Sequence, residues 1–337
     1  MEVGAALQFN RVSESGQLEG FGLVKSCEKK NAKNGTMFLD MVLSDKDSDI
    51  SCKQWDYKET VPLPAPNTII KVRGRLQSYN GADQFIIERF RPVTEDDHIV
   101  LSDYVKSSEY DAAKMFDVLC DTANGFHDAD IKKVVLALLD DNRSRFLYYP
   151  AAEKLHHAMN GGLLYHTLSL VRLAEAVCEV YPFLDRDLLL AGAILHDIAK
   201  IREYTVSTAG LVNGHTLEGM LLGHLVMGAE EVGRRCDELG VDETKKILLQ
   251  HMLISHHGKL EFGAAVRPSF VEAEVLAQID LFDANLYEMA DALKDVKPGE
   301  FTPRLWMLDN RRFYNHGRTD VSPRATLMAD ETKEEQS

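Results

Sequence analysis

Ile194-Leu195-His196-Asp197-Ile198-Ala199-Lys200 sets an adjacent histidine and aspartate at the polar end of an otherwise apolar helical stretch, Asp187 to Ala199. Burying an imidazole beside a carboxylate is costly unless something pairs them, and a metal ion does so directly. For an isolated His-Asp dipeptide the commoner reading is plainer, a capping pair at a helix C-terminus. Its surroundings change the balance. His166 begins an earlier helical stretch in Tyr165-His166-Thr167-Leu168, His224 lies on a later one, and His256-His257-Gly258 ends another. Asp280 sits inside Gln278-Ile279-Asp280-Leu281-Phe282-Asp283-Ala284. One polar residue on an apolar helical face is more often a satisfied core side chain than a ligand, but an ordered series H, HD, H, HH, D points to a site. Nine of the twelve histidines fall between His156 and His257, which crowds the commonest metal-ligating side chain into one region.

Working outward, a 3.6-residue apolar period predicts helices at Lys114 to Leu119, Ile131 to Leu139, Tyr165 to Val180, Asp187 to Ala199, Gly219 to Leu239, Glu243 to Ser255 and Val271 to Leu293. Before Asp96-Asp97 the period is two. Strands are expected at Gly20 to Cys27, Thr36 to Leu43, Ile50 to Tyr57, Thr68 to Gln77 and Gln84 to Phe90, separated by Lys33-Asn34-Gly35, Pro62 to Asn67 and Asn80-Gly81. Five short strands in so few residues suggest a small barrel, most simply an OB-fold. The expected fold class is therefore α+β and multidomain: an N-terminal five-stranded β-barrel followed by an all-α helical bundle. Residues from Pro298 onward keep large side chains and are expected to pack back, while 329–337 read as a polar, disordered tail.

The 337 residues are 45% hydrophobic and 27% charged, the balance of a globular chain, with a formal charge of −15. That total argues against a nucleic-acid partner until it is divided. Residues 1–95 hold 13 Lys and Arg against 13 Asp and Glu, so the whole excess of acid lies beyond them. Cys27, Cys52, Cys120, Cys178 and Cys236 are odd in number and form no C-x-x-C pair, so they read as free thiols in a reducing cytoplasm. The N-terminus lacks the pattern of a secretory leader, and no apolar run approaches a membrane span of roughly 20 residues. There is no G-x-S-x-G elbow and no phosphate-cradling G-x-x-x-x-G-K-[ST] loop, and the cysteine spacing excludes a zinc ribbon.

The ordered series resembles the HD superfamily of metal-dependent phosphohydrolases, and the whole arrangement is similar to the YhaM-type 3′-to-5′ exoribonucleases, which join an OB-fold to an HD domain. The resemblance rests on Lys29-Lys30-Asn31-Ala32-Lys33-Asn34-Gly35, His156-His157, Gly161 to Thr167, Leu188 to Lys200, Leu221-Leu222-Gly223-His224 and Ser255-His256-His257-Gly258, with Phe301-Thr302-Pro303-Arg304 and Leu308-Asp309-Asn310-Arg311 further on. It implies a barrel over 1–95, a helical connector over 96–145, an HD domain over 146–300 and a packing segment over 301–328. It also implies that His166, His196, Asp197 and Asp280 hold one divalent ion, and that His224, His256 and His257 hold a second with Asp197 bridging. Manganese is the favoured ion, with magnesium, iron, cobalt or zinc as alternatives. One departure stands out: the family's HD-x-G-K glycine is Ala199 here.

Two such ions lower the pKa of a shared water toward 7 and so supply hydroxide. Lys200, one helical turn beyond His196, can reach the same pocket and offset phosphoryl charge, so Asp197 and Lys200 are the expected catalytic pair. His157, His215 and Arg267 are further candidates for phosphate or ribose contact. On the barrel, Lys25, Lys29, Lys30 and Lys33 cluster in the first hairpin, and Lys71, Arg73 and Arg75 share one strand face. Phe38, Trp55, Tyr57 and Tyr79 are interleaved with them, as a single-strand binder needs. The expected partner is single-stranded RNA, with single-stranded DNA as an alternative, in a cytoplasmic enzyme that forms homo-oligomers. Two other readings stay open: a phosphohydrolase of free nucleotides with the barrel regulatory or oligomeric, and a nucleic-acid binder with a merely structural HD site.

Overall fold

The computed structural model describes residues 17–32, 34–45, 48–55, 57–59, 61–79, 82–105, 107–152, 159–207 and 209–328. They form two compact units. Among the described residues no helix is long and apolar enough to cross a membrane.

The first unit is a closed barrel of β1 (Gln17–Asn31), β2 (Met37–Ser44), β3 (Asp49–Gln54), β4 (Ile69–Tyr79) and β5 (Ala82–Pro92) in the order β1-β2-β3-β5-β4, an OB-fold. All ladders are antiparallel except β3 with β5. Closure leaves no sheet edge exposed. Strand alternation decides which residues enter: Ile70 and Val72 join Val24, Leu39, Met41, Phe85 and Ile87 in the core, while Lys71 and Arg73 face out. Gly74 sits at a register shift between β4 and β5, where a Cβ would meet the Ile86 carbonyl oxygen at 2.2 Å, so only glycine fits. Tyr57 lies in this core and donates its hydroxyl to the Val61 carbonyl, so it is not a stacking surface as the sequence suggested. The Asn80-Gly81 turn lies outside the described residues.

This unit runs on to Ser107, past the change of period at Asp96-Asp97, and takes in Val206–Gly214. Tyr104, Val105 and Ala209 pack with Phe21, Leu23 and Ile69 in a second cluster, and Asn67 Nδ2 donates to the Val212 carbonyl at 2.6 Å.

The second unit, Ser108–Thr205 with His215–Ser337, is helical. It contains α1 (Ala112–Asn124), α2 (Ala129–Phe146), α3 (Gly162–Val180), α4 (Arg186–Leu195), α5 (Lys200–Glu203), α6 (Leu217–Leu221), α7 (Gly223–Leu239), α8 (Glu243–Ser255) and α9 (Val271–Leu293). Side-chain oxygens of Asp111, Asp128, Asp185, Thr216 and Asp242 cap the N-termini of α1, α2, α4, α6 and α8. Both α3, through Val171, and α4, from Asp187 on, are buried on every side, which makes them the centre of the bundle. Where a Cβ on Gly192 would meet Met252 Cε at 2.2 Å, α4 and α8 approach closely.

Two expectations are corrected. The stretch Asp187 to Ala199 is not one helix: α4 stops at Leu195, His196 is its C-cap, and a turn leads into α5. Gly219 to Leu239 is also broken, because Gly223 takes a φ of 72° between α6 and α7. Between α5 and α6 the chain also forms a short two-stranded sheet, β6 (Tyr204–Val206) with β7 (Val212–His215). Runs of three and four residues are too short to carry a period, so the sequence predicts no element there.

Candidate metal centre

The breaks in those helices are what build the site. His196 and His256 are the C-caps of α4 and α8, so two helix C-termini, each with partial negative charge, converge where a cation would sit. Each Nδ1 donates to its own helix: His196 to the Ala193 carbonyl at 2.9 Å, His256 to the Leu253 carbonyl at 2.8 Å. A carbonyl only accepts, so the proton is on Nδ1 and the lone pair is on Nε2. His257 follows the same rule, donating from Nδ1 to the Phe262 carbonyl at 2.8 Å. His166 Nδ1 meets Asp283 at 2.8 Å, and His224 Nδ1 meets Glu203 at 2.7 Å. Ser169 in turn donates to Asp283. All five imidazoles thus have Nδ1 engaged, which leaves Nε2 as the candidate ligand atom, the arrangement by which protein metal sites fix ring orientation.

Asp197 is the hub. Its Oδ1 lies 3.2 Å from His224 Nε2 and 3.6 Å from His256 Nε2, while its Oδ2 lies 3.3 Å from His196 Nε2, 3.8 Å from His166 Nε2 and 2.7 Å from Lys200 Nζ. His166 Nε2 is also 3.1 Å from Asp280 and 3.3 Å from His196 Nε2. Two groups emerge, His224 with His256 and His257, and His166 with His196 and Asp197. Asp197 Oδ1, His224 Nε2 and His256 Nε2 are buried without a hydrogen-bond partner. Orphaned buried polar atoms are rare and costly. Three of them facing one another, next to two Nε2 atoms at 3.3 Å, fit a divalent cation with imidazole and carboxylate donors.

The electrostatics agree. Burial disfavours the charged imidazolium and so lowers the proton affinity of His224 and His256, and burial together with His256 pushes His257 down to about 4, so all three present lone pairs at neutral pH. His166 goes the other way: burial lowers it, but Asp280 and Asp283 outweigh that and raise it to about 10. The space at its Nε2 holds positive charge, and a metal ion would take the place of that proton. Burial alone would raise Asp197, yet Lys200 and His196 hold it well below the ordinary carboxylate range. Lys200, buried and lowered by that burial, is raised above its ordinary value by Asp197.

Asp197, Lys200, His224, His256, His257 and Asp280 open onto a cavity of about 490 Å³ bounded also by Tyr204, Phe262, Met307 and Leu308. That is room for a nucleotide. Ala199 adopts φ −76°, ψ −5°, so the position does not require glycine; its methyl faces Gly228, where an added Cβ would stand 3.5 Å away.

Other candidates fall elsewhere. His215 is exposed and packs edge-on to Tyr204 at 5.0 Å, one side chain away from the cavity. Arg267 is exposed on its loop and does not line the cavity. His157 and Lys33 lie outside the described residues, as does the side chain of Tyr79. On the barrel, Lys25 pairs with Asp49 at 2.7 Å, Lys29 with Glu59 at 3.1 Å and Lys30 with Asp40 at 2.7 Å, exposed pairs that contribute little and exchange readily. Phe38 is buried under half-exposed Trp55 at 4.8 Å, with Lys53 above both rings. Lys71 and Arg73 line a groove with Arg89 and Arg91; Arg75 is exposed beyond it.

Glu203, Asp283 and Ser169 carry no motif of their own. Spacing was the available signal for two of them, since Ser169 and Asp283 each stand three residues after a ligand candidate, on the same helix face. Arg89 and Arg91, which alternate on β5, were also missed; the register pairs them with Arg73 and Lys71.

Comparison with known proteins locates an HD domain over residues 163–285. A curated relative named 3′-5′ exoribonuclease YhaM, from Bacillus subtilis, is 39% identical over 88% of this chain and 94% of its own length. Another of the same name, from Listeria welshimeri, is 40% identical over 88% of this chain and 95% of its own. Among solved structures, the second OB-fold domain of replication protein A from Methanococcus maripaludis matches 23% of this chain and 83% of that one, at 12% identity and a TM-score of 0.20.

Proposed function

The chain belongs to the YhaM family of 3′-5′ exoribonucleases, and on that premise we propose that it hydrolyses single-stranded RNA from its 3′ end to nucleoside 5′-monophosphates at a centre of two divalent ions, manganese by preference. In this reading His166, His196, Asp197 and Asp280 hold one ion, and His224, His256 and His257 hold the other with Asp197 shared. What carries the reading is the convergence of four Nδ1-anchored imidazoles, those of His166, His196, His224 and His256, on one buried carboxylate whose Oδ1 lacks a hydrogen-bond partner, with His257 grouped beside two of them.

Divalent ions, when bound, supply Lewis acidity and lower the pKa of water toward 7. The chain's own residues do the rest. Lys200, held at 2.7 Å from Asp197 and facing the cavity, offsets charge on the phosphoryl oxygens. Glu203 and Asp283 keep the rings of His224 and His166 turned inward. Phe262, Ala277, Leu281 and Leu308 form an apolar wall to the cavity.

The test is a single-stranded RNA labelled at its 5′ end, incubated with pure protein and manganese. A ladder shortening stepwise from the 3′ end, with 5′-monophosphates as product, is expected. Phosphate release from mononucleotides while the RNA stays intact would replace this reading with a free-nucleotide phosphohydrolase. A companion prediction concerns the ring anchors: Asp283→Asn should weaken manganese binding about 10- to 100-fold by calorimetry. An unchanged affinity would remove His166 from the ligand set.

A further inference from the structure

Resting on that reading, we propose that Trp306 and the arginines of its hairpin form an RNA subsite at the mouth of the catalytic cavity, where the indole stacks on a nucleobase and the guanidinium groups face phosphates. Trp306 is 71% exposed, an unusual position for a side chain that gains more than any other from burial. It opens a short 3-10 turn, Trp306–Leu308, whose next two residues, Met307 and Leu308, line the cavity that also holds Asp197, Lys200 and Asp280. The indole therefore stands one residue away from the cavity wall.

The hairpin is built to hold it still. Thr302 is fully buried and exchanges hydrogen bonds with Phe313, and Leu305 N donates to the Arg311 carbonyl at 3.0 Å. Arg304 donates to the Asn310 carbonyl, Arg311 to the Leu308 carbonyl and Arg312 to the Thr302 carbonyl, each with one nitrogen, while the Arg311 and Arg312 guanidinium groups lie over the Phe313 and Phe301 rings at 5.4 Å and Arg311 Nη2 stands 4.0 Å from Asp309. Those bonds fix Asp309 and Asn310 in the left-handed region, at φ 57° and 56°. Residues 300–318 carry four arginines against two carboxylates, a basic island in a stretch, 96–337, where 25 basic residues face 40 acidic ones. Flat side chains beside arginines suit single-stranded nucleic acid.

The protein has two tryptophans, Trp55 and Trp306, so Trp55→Phe leaves Trp306 as the only indole emitter. Oligoadenylate of ten nucleotides, added under chelation to prevent cleavage, should quench that emission saturably. Trp306→Ala and Trp306→Leu should bind fluorescein-labelled oligoadenylate about ten-fold more weakly, and Trp306→Phe should return to within about three-fold. The subsite is overturned by unquenched emission at saturating RNA, or by Ala and Leu variants that bind like the parent. It is equally overturned if Trp306→Ala alters oligomeric state by light scattering with RNA affinity unchanged, which would make the hairpin a contact between copies. If the parent protein neither binds nor shortens RNA, the functional reading itself falls; if it does both and the variants match it, only this subsite falls.

Discussion

Asp197→Asn should lower kcat/KM for RNA by about 10³-fold, the upper range for losing one charge-stabilising group at an active site. The carboxylate faces both halves of the centre: Oδ1 faces His224 and His256, and Oδ2 faces His196, His166 and Lys200. An amide keeps the volume but replaces one oxygen with a donor, which would meet an Nε2 lone pair and occupy it. It also leaves Lys200 buried without its counter-charge, at a cost to stability of about 3–5 kcal/mol. Adding Lys200→Met should restore most of that stability without restoring activity. Circular dichroism on both variants keeps folding and chemistry apart. RNA hydrolysis by folded Asp197→Asn within about ten-fold of the parent would refute the hub role.

Removing metal should have the second large effect. Three orphaned atoms and two Nε2 atoms at 3.3 Å leave the metal-free centre poorly satisfied, so the folded state should bind manganese far better than the unfolded chain does. At a concentration of 100 times Kd the ion should add about 2.7 kcal/mol. For a unit of this size, that corresponds to a Tm rise of about 5–10 °C. Exhaustive chelation should abolish RNA shortening, and manganese should restore both activity and Tm. Full activity after chelation, or a Tm indifferent to manganese, would mean the histidines serve the core and not a metal.

Much of this was legible in sequence because its signals are local. Strand alternation such as Ile70-Lys71-Val72-Arg73 follows from the pleat alone, and the barrel strands lie close to where period and turn residues put them. The series His166, His196-Asp197, His224, His256-His257, Asp280 was visible because each member interrupts an apolar helical run. What was not legible depends on tertiary packing. Glu203 matters only because the turn after α4 brings it to His224, and Asp283 only because α9 crosses α3. The segment Val206–Gly214 reads as a loop between helices, yet Ala209 packs among barrel residues far away in sequence. Tyr57 was misread for the same reason: an aromatic between basic residues looks like a platform until packing shows that it is buried in the barrel core.

The way the five imidazoles are anchored limits how such a centre can be altered by mutation. His196, His256 and His257 are oriented by main-chain carbonyls, which no single substitution deletes. His166 and His224 are oriented by carboxylates, which one codon change can neutralise. Three positions are therefore insulated from drift in the surrounding sequence, and two are adjustable. Selection for a different ion, or for a different tightness of holding it, would act through Asp283 and Glu203 before it touched any ligand.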